Sequence, residues 1–437
     1  MNNKRGLFIK QVVTYFVATL TMPFFYIISS VFALISRSKN SKNSTQARLV
    51  WGPVPVINNK YWSNAMKEGG WNSITFMHSY FSVINQRSDF DEILAEKYLF
   101  FPKSIKIIIS FWESLFRFDV FFISFRGWIL GQTPFWWIEA HLLKLAGKRI
   151  VAIPYGSDAF VYRKIKSLPL LHGLMMSYPE ASRLQDDVEK RLHYWCKNAD
   201  CVNPGMMGPD GFGRWDILRP SSLTIDLNTW LPTTRISDAD GIKSTVYVAH
   251  APNHRGFKGS EFLIDAIQKL KDEGLKVELI LIEKIQNEEV RKIFQGEVDI
   301  LVEQLIATGH GINAIEGMAC ALPVISNFED DDYTLVFRRW SFLDECPIVS
   351  ASPETIIDQL RKLITRPKLR AKLGESGRRY VEKYHSYDSA KILFSNILKY
   401  VYGEIDNLNS LYHPLLSESS DIENSVLHPL IKNRIVS

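Results

Sequence analysis

At 437 residues the chain is longer than one hydrophobic core usually supports, which favours two domains. It is 46% hydrophobic and 23% charged, a balance that excludes general disorder. The net charge of +5 is modest, and the basic residues are scattered rather than interleaved with aromatics, which argues against nucleic-acid binding.

Residues 12–35 carry no charged side chain. At about 1.5 Å of helical rise per residue such a run can cross a hydrocarbon core of about 30 Å. It is too long for the apolar stretch of a signal peptide, so a retained membrane helix is expected, either spanning or lying in one leaflet, with a buried core helix as the third reading. Lys4, Arg5 and Lys10 precede it and Arg37, Lys39, Lys42 and Arg48 follow, a slight bias toward a cytosolic body. Residues 1–46 are therefore read as membrane segment and linker.

Short apolar runs then alternate with amphipathic helical patterns. Residues 47–51, 73–77, 120–125 and 149–154 read as strands of a parallel sheet covered by helices. The turn after the first of them holds Gly52 and leads to Asn58 and Asn59 before a helix. Open α/β sheets place ligand loops there, although an ordinary strand-to-helix turn reads the same way. The pattern restarts at Ser244, with strands at 245–250, 276–282, 298–302, 322–326 and 347–349. Residues 218–232, which hold Pro220, Pro232 and the turn-prone stretch 224–228, suit a hinge between the two series. Ser352-Pro353 is read as a helix start, and 417–424 as polar tail. The four cysteines, Cys196, Cys201, Cys320 and Cys346, lack paired metal-ligand spacing and read as buried thiols.

Two constellations carry chemistry. In 250–260, Arg255 and Lys258 accompany Gly256 and Gly259 at a strand-to-helix turn, where cations and open backbone suit a diphosphate. In 308–324, Thr308, Gly309, His310, Gly311, Ile312 and Asn313 lead into a helix whose N-terminus favours an anion. Glu316, one turn inside, is placed to accept hydrogen bonds from a ribose. His310 is read as reaching the diphosphate or leaving oxygen, or as a plain loop histidine. Asp158 in Tyr155-Gly156-Ser157-Asp158 is read as orienting a substrate, or as a helix cap. The run Asp330-Asp331-Asp332 reads as a solvated loop, and no metal or other cofactor is expected.

The segment 298–327, ending in Glu316-Gly317-Met318-Ala319-Cys320-Ala321-Leu322-Pro323-Val324, resembles the Glu-x7-Glu region of the retaining GT-B glycosyltransferases of the family 4, group 1 type. Residues 250–259 resemble that family's donor-phosphate turn, and the likeness extends over about 47–400. It implies an α/β GT-B fold: two Rossmann-like domains facing a cleft, here with an N-terminal membrane helix. The implied bounds are 47–228 for an acceptor-side domain, 229–385 for a donor-binding domain, and 386–437 for a returning helix and tail. The resemblance implies a hexosyltransferase that moves a sugar from UDP or GDP to a lipid-linked or polysaccharide acceptor, with retention and without a metal. Surface polysaccharide biosynthesis at the cytoplasmic face of the inner membrane is the setting it suggests.

The chain departs from the pattern in three places. Thr308 stands where the family's first motif Glu would fall, which removes a carboxylate contact to the donor sugar. Gly317 and Ala321 replace the commoner Ala and Gly. A nucleotide-sugar epimerase or hydrolase, and a non-catalytic membrane-bound partner subunit, are the competing readings.

Overall fold

The computed structural model describes residues 2–82, 85–206, 212–234, 238–417 and 425–436, with the backbone alone for residues 2–19. The side chains of Lys4, Arg5 and Lys10 and the polar stretch 418–424 thus lie outside the described residues.

The first lobe is a six-stranded sheet: β1 Arg48–Trp51, β2 Asn72–Met77, β3 Glu92–Ile93, β4 Val120–Ile123, β5 Arg149–Ala152 and β6 Cys201–Val202, in the order β3-β2-β1-β4-β5-β6. Its helices are α1 Asn2–Arg37, α2 Ile57–Glu68, α3 Lys103–Arg117, α4 Glu139–Leu145, α5 Leu168–Ser177 and α6 Gln185–Asn198. The second lobe is a five-stranded sheet: β7 Val246–His250, β8 Val277–Leu281, β9 Ile300–Thr308, β10 Val324–Asn327 and β11 Val349–Ser350, in the order β11-β10-β9-β7-β8. Around it lie α7 Arg255–Lys258, α8 Ser260–Asp272, α9 Asn287–Gly296, α10 Ile312–Ala319, α11 Asp331–Trp340, α12 Ile356–Ile364 and α13 Pro367–Tyr384. Every pairing within the two sheets is parallel. Strands such as Val120–Ile123 are buried along their whole length, as a sheet covered on both faces requires. Each sheet reverses its strand order beside its first strand, and the carboxyl ends there face the cleft.

A last long helix, α14 Tyr387–Val401, starts at Ser386, whose hydroxyl accepts the Ser389 N–H at 3.1 Å. It leaves the second lobe and packs on the first. Phe394 meets Trp51 edge-on at 4.8 Å while Trp51 stacks on Phe122 at 3.7 Å. Residues 425–436 return to the second lobe as a two-stranded ribbon, β12 Leu430–Ile431 with β13 Arg434–Ile435. Asn433 anchors it by donating to the carbonyls of Cys346 and Ile348.

Several expectations change. Asn58 and Asn59 lie inside the first turn of α2, not ahead of it. The strand expected at 298–302 continues to Thr308, with register irregularities against β10 at Ser326 and Asn327. The helix expected from Ser352-Pro353 begins at Ile356, because Ser352 and Thr355 first close a polar turn. The apolar N-terminal run is not free along its length. Phe25, Ser29, Ala33 and Ser36, spaced by helical turns, are buried on the first lobe. Phe25 stacks on Phe135 at 4.6 Å and Phe32 on Trp112 at 4.7 Å, and the Trp112 indole donates to Ser29 Oγ at 2.9 Å. Each such buried aromatic contributes about 1.5–3 kcal/mol. Lipid therefore cannot ring the helix from Phe25 onward.

Candidate active site

The carboxyl ends of both sheets open on a cleft of about 1190 Å³ lined by both lobes. On the second-lobe side, β9 delivers Thr308 and the turn Gly309-His310-Gly311 to the head of α10, and Ile312 lines the cleft with them. Gly309 has φ +106°, a region that favours glycine. Its N–H is spent on the Asn327 carbonyl at 2.8 Å, and its carbonyl accepts from Ser326 Oγ at 2.6 Å. The turn is thus held rigid from behind. The N–H groups of the first turn of α10 have no intrahelical acceptor, and partial positive charge gathers at that end of the helix. Asn313 turns away and donates to the Ala251 carbonyl at 2.8 Å.

Lys258, closing α7, reaches beneath this turn. Its ammonium pairs with Glu303 and donates to Gln304 Oε1 at 2.7 Å; all three are buried, and Lys258 and Gln304 line the cleft. Gly259 follows with φ +76°, and a Cβ there would sit 3.1 Å from Leu305. Arg255 does not join Lys258. Its guanidinium binds Glu283 at 2.8 Å and Glu261 at 3.1 Å on the exposed side of α7, outside the cleft lining. The expected pair of free cations at one turn is therefore replaced by one buried, paired lysine.

His310 lines the cleft with Nδ1 toward the Gly311 carbonyl at 3.4 Å and Nε2 without a partner. Burial pushes its pKa down, so the ring is neutral at pH 7. His385 lies behind it at 5.9 Å between ring centroids, and burial holds that ring neutral too. His250 is a clip rather than a ligand. Its Nδ1 donates to the Val302 carbonyl at 2.7 Å, its Nε2 accepts from Ser260 Oγ at 2.8 Å, and burial lowers its pKa to about 4.

Glu316 is set back from the cleft lining. Its Oε1 accepts from Asn287 at 3.0 Å, its Oε2 has no partner, and burial raises its pKa to about 7. Asp158 is likewise internal. Its carboxylate accepts the N–H groups of Phe125 at 3.0 Å, Tyr155 at 3.0 Å and Gly156 at 3.1 Å, and burial raises its pKa to about 6. It ties the turn after β5 to the turn after β4, while Tyr155, Gly156 and Ser157 face the cleft in its place. This correction has a plain cause: a buried carboxylate satisfies the local N–H groups before any substrate can.

The first-lobe wall is aromatic and apolar, with Trp62, Phe81, Tyr155, Phe160, Tyr162 and Tyr178 among its residues. Gly52 has φ +151°, and a Cβ there would meet the Phe76 carbonyl at 2.1 Å, so only glycine fits. Asn58 and Asn59 line the wall but are engaged, Asn58 accepting the Thr224 N–H at 2.7 Å and Asn59 donating to the Val54 carbonyl at 2.8 Å. Sequence reasoning did not single out Asn203, whose buried Nδ2 has no partner and which also lines the cleft. Its only sequence signal is its place just after β6. Asp330 caps α11 by accepting the Tyr333 N–H at 3.0 Å. Among the described residues no three His, Cys, Asp or Glu side chains gather as a metal site.

Residues 255–380, which span this half of the cleft, match the family model described as glycosyl transferases group 1. That likeness to the group 1 glycosyl transferases is carried by the second of two parallel α/β lobes. Comparison with curated protein sequences returns no match. Among solved structures, a glycosyltransferase from Rickettsia africae ESF-5 is similar at 12% identity and TM-score 0.48, over 82% of this chain and 98% of that one. Sucrose-phosphate synthase from Thermosynechococcus elongatus is similar at 13% identity and TM-score 0.46, over 82% and 100%. An S. aureus MnaA–UDP structure is similar at 13% identity and TM-score 0.44, over 83% and 98%. Likeness at that level says nothing about substrate.

Proposed function

We propose that the chain is a glycosyltransferase that moves a sugar from a nucleotide-sugar donor, UDP- or GDP-linked, onto a lipid-linked or polysaccharide acceptor, with retention and without a metal. Surface polysaccharide biosynthesis at the cytoplasmic face of a membrane is the setting. One observation carries the reading: the Gly309–Gly311 turn and the head of α10 face an aromatic wall across the cleft. The helix end and Lys258 suit the donor diphosphate by partial and full charge, and neutral His310 suits a donated hydrogen bond to the departing oxygen. The aromatic wall suits the faces of an acceptor sugar or an apolar chain beside it.

Calorimetry of UDP and GDP binding in detergent, with and without chelator, tests it on the parent chain and on Lys258→Ala and His310→Ala. Saturable binding to one nucleotide, unchanged by chelator and weakened in both variants, is expected. A second reading, a non-catalytic membrane-bound subunit, draws on the pairing of Arg255 with Glu283 and of Lys258 with Glu303, which leaves little uncompensated positive charge. Absence of binding to either nucleotide would favour it.

A further inference from the structure

The direction of α1 can be read from its contacts. Beyond its C-terminal end, Asn40 donates to the Ala146 carbonyl at 2.7 Å and the Ser41 N–H reaches Asp119 Oδ1 at 3.2 Å, both just ahead of β5 and β4. That end of the helix thus sits at the amino ends of the strands. About three turns before the end of the helix, Tyr26 meets His141 at 2.8 Å at the start of α4, and Phe25 stacks on Phe135 in the segment leaving β4. α1 therefore runs opposite to the strands, and its N-terminal part emerges at their carboxyl ends, the end that carries the cleft.

The segment joining β3 to α3 emerges at the same end. It holds three consecutive apolar residues in water: Leu99 71%, Phe100 100% and Phe101 47% exposed. Ile105 extends them along α3, and Phe81, which lines the cleft, is also largely exposed. None of the described residues packs on Phe100. On α1 the residues facing away from the lobe are Leu20, Phe24, Ile27, Ile28, Val31 and Leu34, all exposed and spaced as one helical stripe. Soluble surfaces rarely keep such continuous apolar area, and an edge of this kind marks a binding face. Lys103, exposed in the first turn of α3, supplies charge that favours anionic lipid.

We infer that Leu99, Phe100 and Phe101 insert into the lipid surface beside the outward stripe of α1, seating the first lobe edge-on with its cleft opening at the bilayer. The inference rests on the membrane association proposed above and adds a second, independent contact that decides orientation. An acceptor carrying a hydrocarbon chain would then enter past Phe81 without leaving the lipid phase.

The test uses the full chain with an environment-sensitive nitrobenzoxadiazole label. The native thiols suit this, because all four are buried, and burial pushes Cys196 up to about 11 and Cys320 to about 12. The label is placed at Phe100→Cys and, as a control, at Glu375→Cys on the second lobe, and vesicles of phosphatidylethanolamine and phosphatidylglycerol are added. A blue shift at position 100 and none at 375 is expected, together with vesicle partitioning of Phe100→Asp weakened about tenfold or more. Flotation of the parent chain with vesicles but no shift at position 100 would overturn this inference while leaving membrane association intact. Absence of flotation would overturn both. A shift at position 100 that rises with protein concentration in the absence of lipid would overturn it in favour of a second copy of this chain.

Discussion

Lys258 at the end of α7 and Glu303 on β9 form an ion pair buried beneath the glycine turn that faces the cleft. Glu303 is completed by Ser326 Oγ at 3.2 Å and Lys258 by Gln304 at 2.7 Å. Removing one member of such a pair leaves the other charge buried and uncompensated, at a cost of about 3–5 kcal/mol. Glu303→Ala is expected to lose stability on that scale in a denaturant titration, and the double variant Lys258→Met, Glu303→Gln to lose much less. Equal losses in the two would mean that the pair is not what holds this turn.

Glu316 provides a pH signature. Its folded pKa of about 7 stands above the ordinary 4.5, so the folded chain holds a proton that the unfolded chain releases. Stability from this group is full below about pH 4.5 and falls as pH rises toward 7, by about 3 kcal/mol in all. Comparing the parent with Glu316→Gln at pH 5 and pH 8 isolates the effect. The variant should gain on the parent by roughly that amount between the two, and a constant difference would show that the carboxyl has access to water.

Asp158 should behave as a positioning residue. Asp158→Ala leaves three N–H groups without their acceptor, that of Phe125 buried and those of Tyr155 and Gly156 half-buried, at up to about 1–3 kcal/mol for the buried one. A clear fall in melting temperature is expected, with nucleotide affinity unchanged, because the second-lobe turn is untouched. Loss of activity in Asp158→Asn with full stability and unchanged acceptor KM would instead assign it to the chemistry.

The exchanged small residues of α10 and the turn after it have steric causes. A Cβ on Gly317 would lie 2.4 Å from Leu301 Cδ2 and 3.2 Å from Val324 Cγ2, so Gly317→Ala should cost about 1–3 kcal/mol by overpacking. Ala321 has φ +58°, a left-handed conformation that costs an alanine about 1 kcal/mol. Ala321→Gly should recover about that much in thermal unfolding, less the added chain entropy of glycine.

Local patterns carried much of this fold. Apolar runs such as 120–123 and 149–152, alternating with helical periodicity, point to parallel sheets, and the restart at Ser244 separates the lobes. Gly309 marks the turn at the head of α10 because few other residues adopt its backbone, at φ +106°. The strand through Thr308 was harder to read, since Glu303, Gln304 and Thr308 are polar and interrupt its apolar run. They lie in a strand because Ser326, Lys258 and Asn327 satisfy them or their neighbours from other elements.

What the sequence determined by itself is therefore the order of strands and helices, the turns that need glycine, and an apolar N-terminal helix. These follow from backbone sterics and from periodicities set within a few residues. Tertiary structure alone decided that Arg255 is claimed by Glu283, that Asp158 is closed by backbone N–H groups, and that α1 lies along the first lobe against α3 and α4. Charges and hydrogen bonds act over a few ångströms of space, and the groups that meet there are brought together from distant parts of the chain.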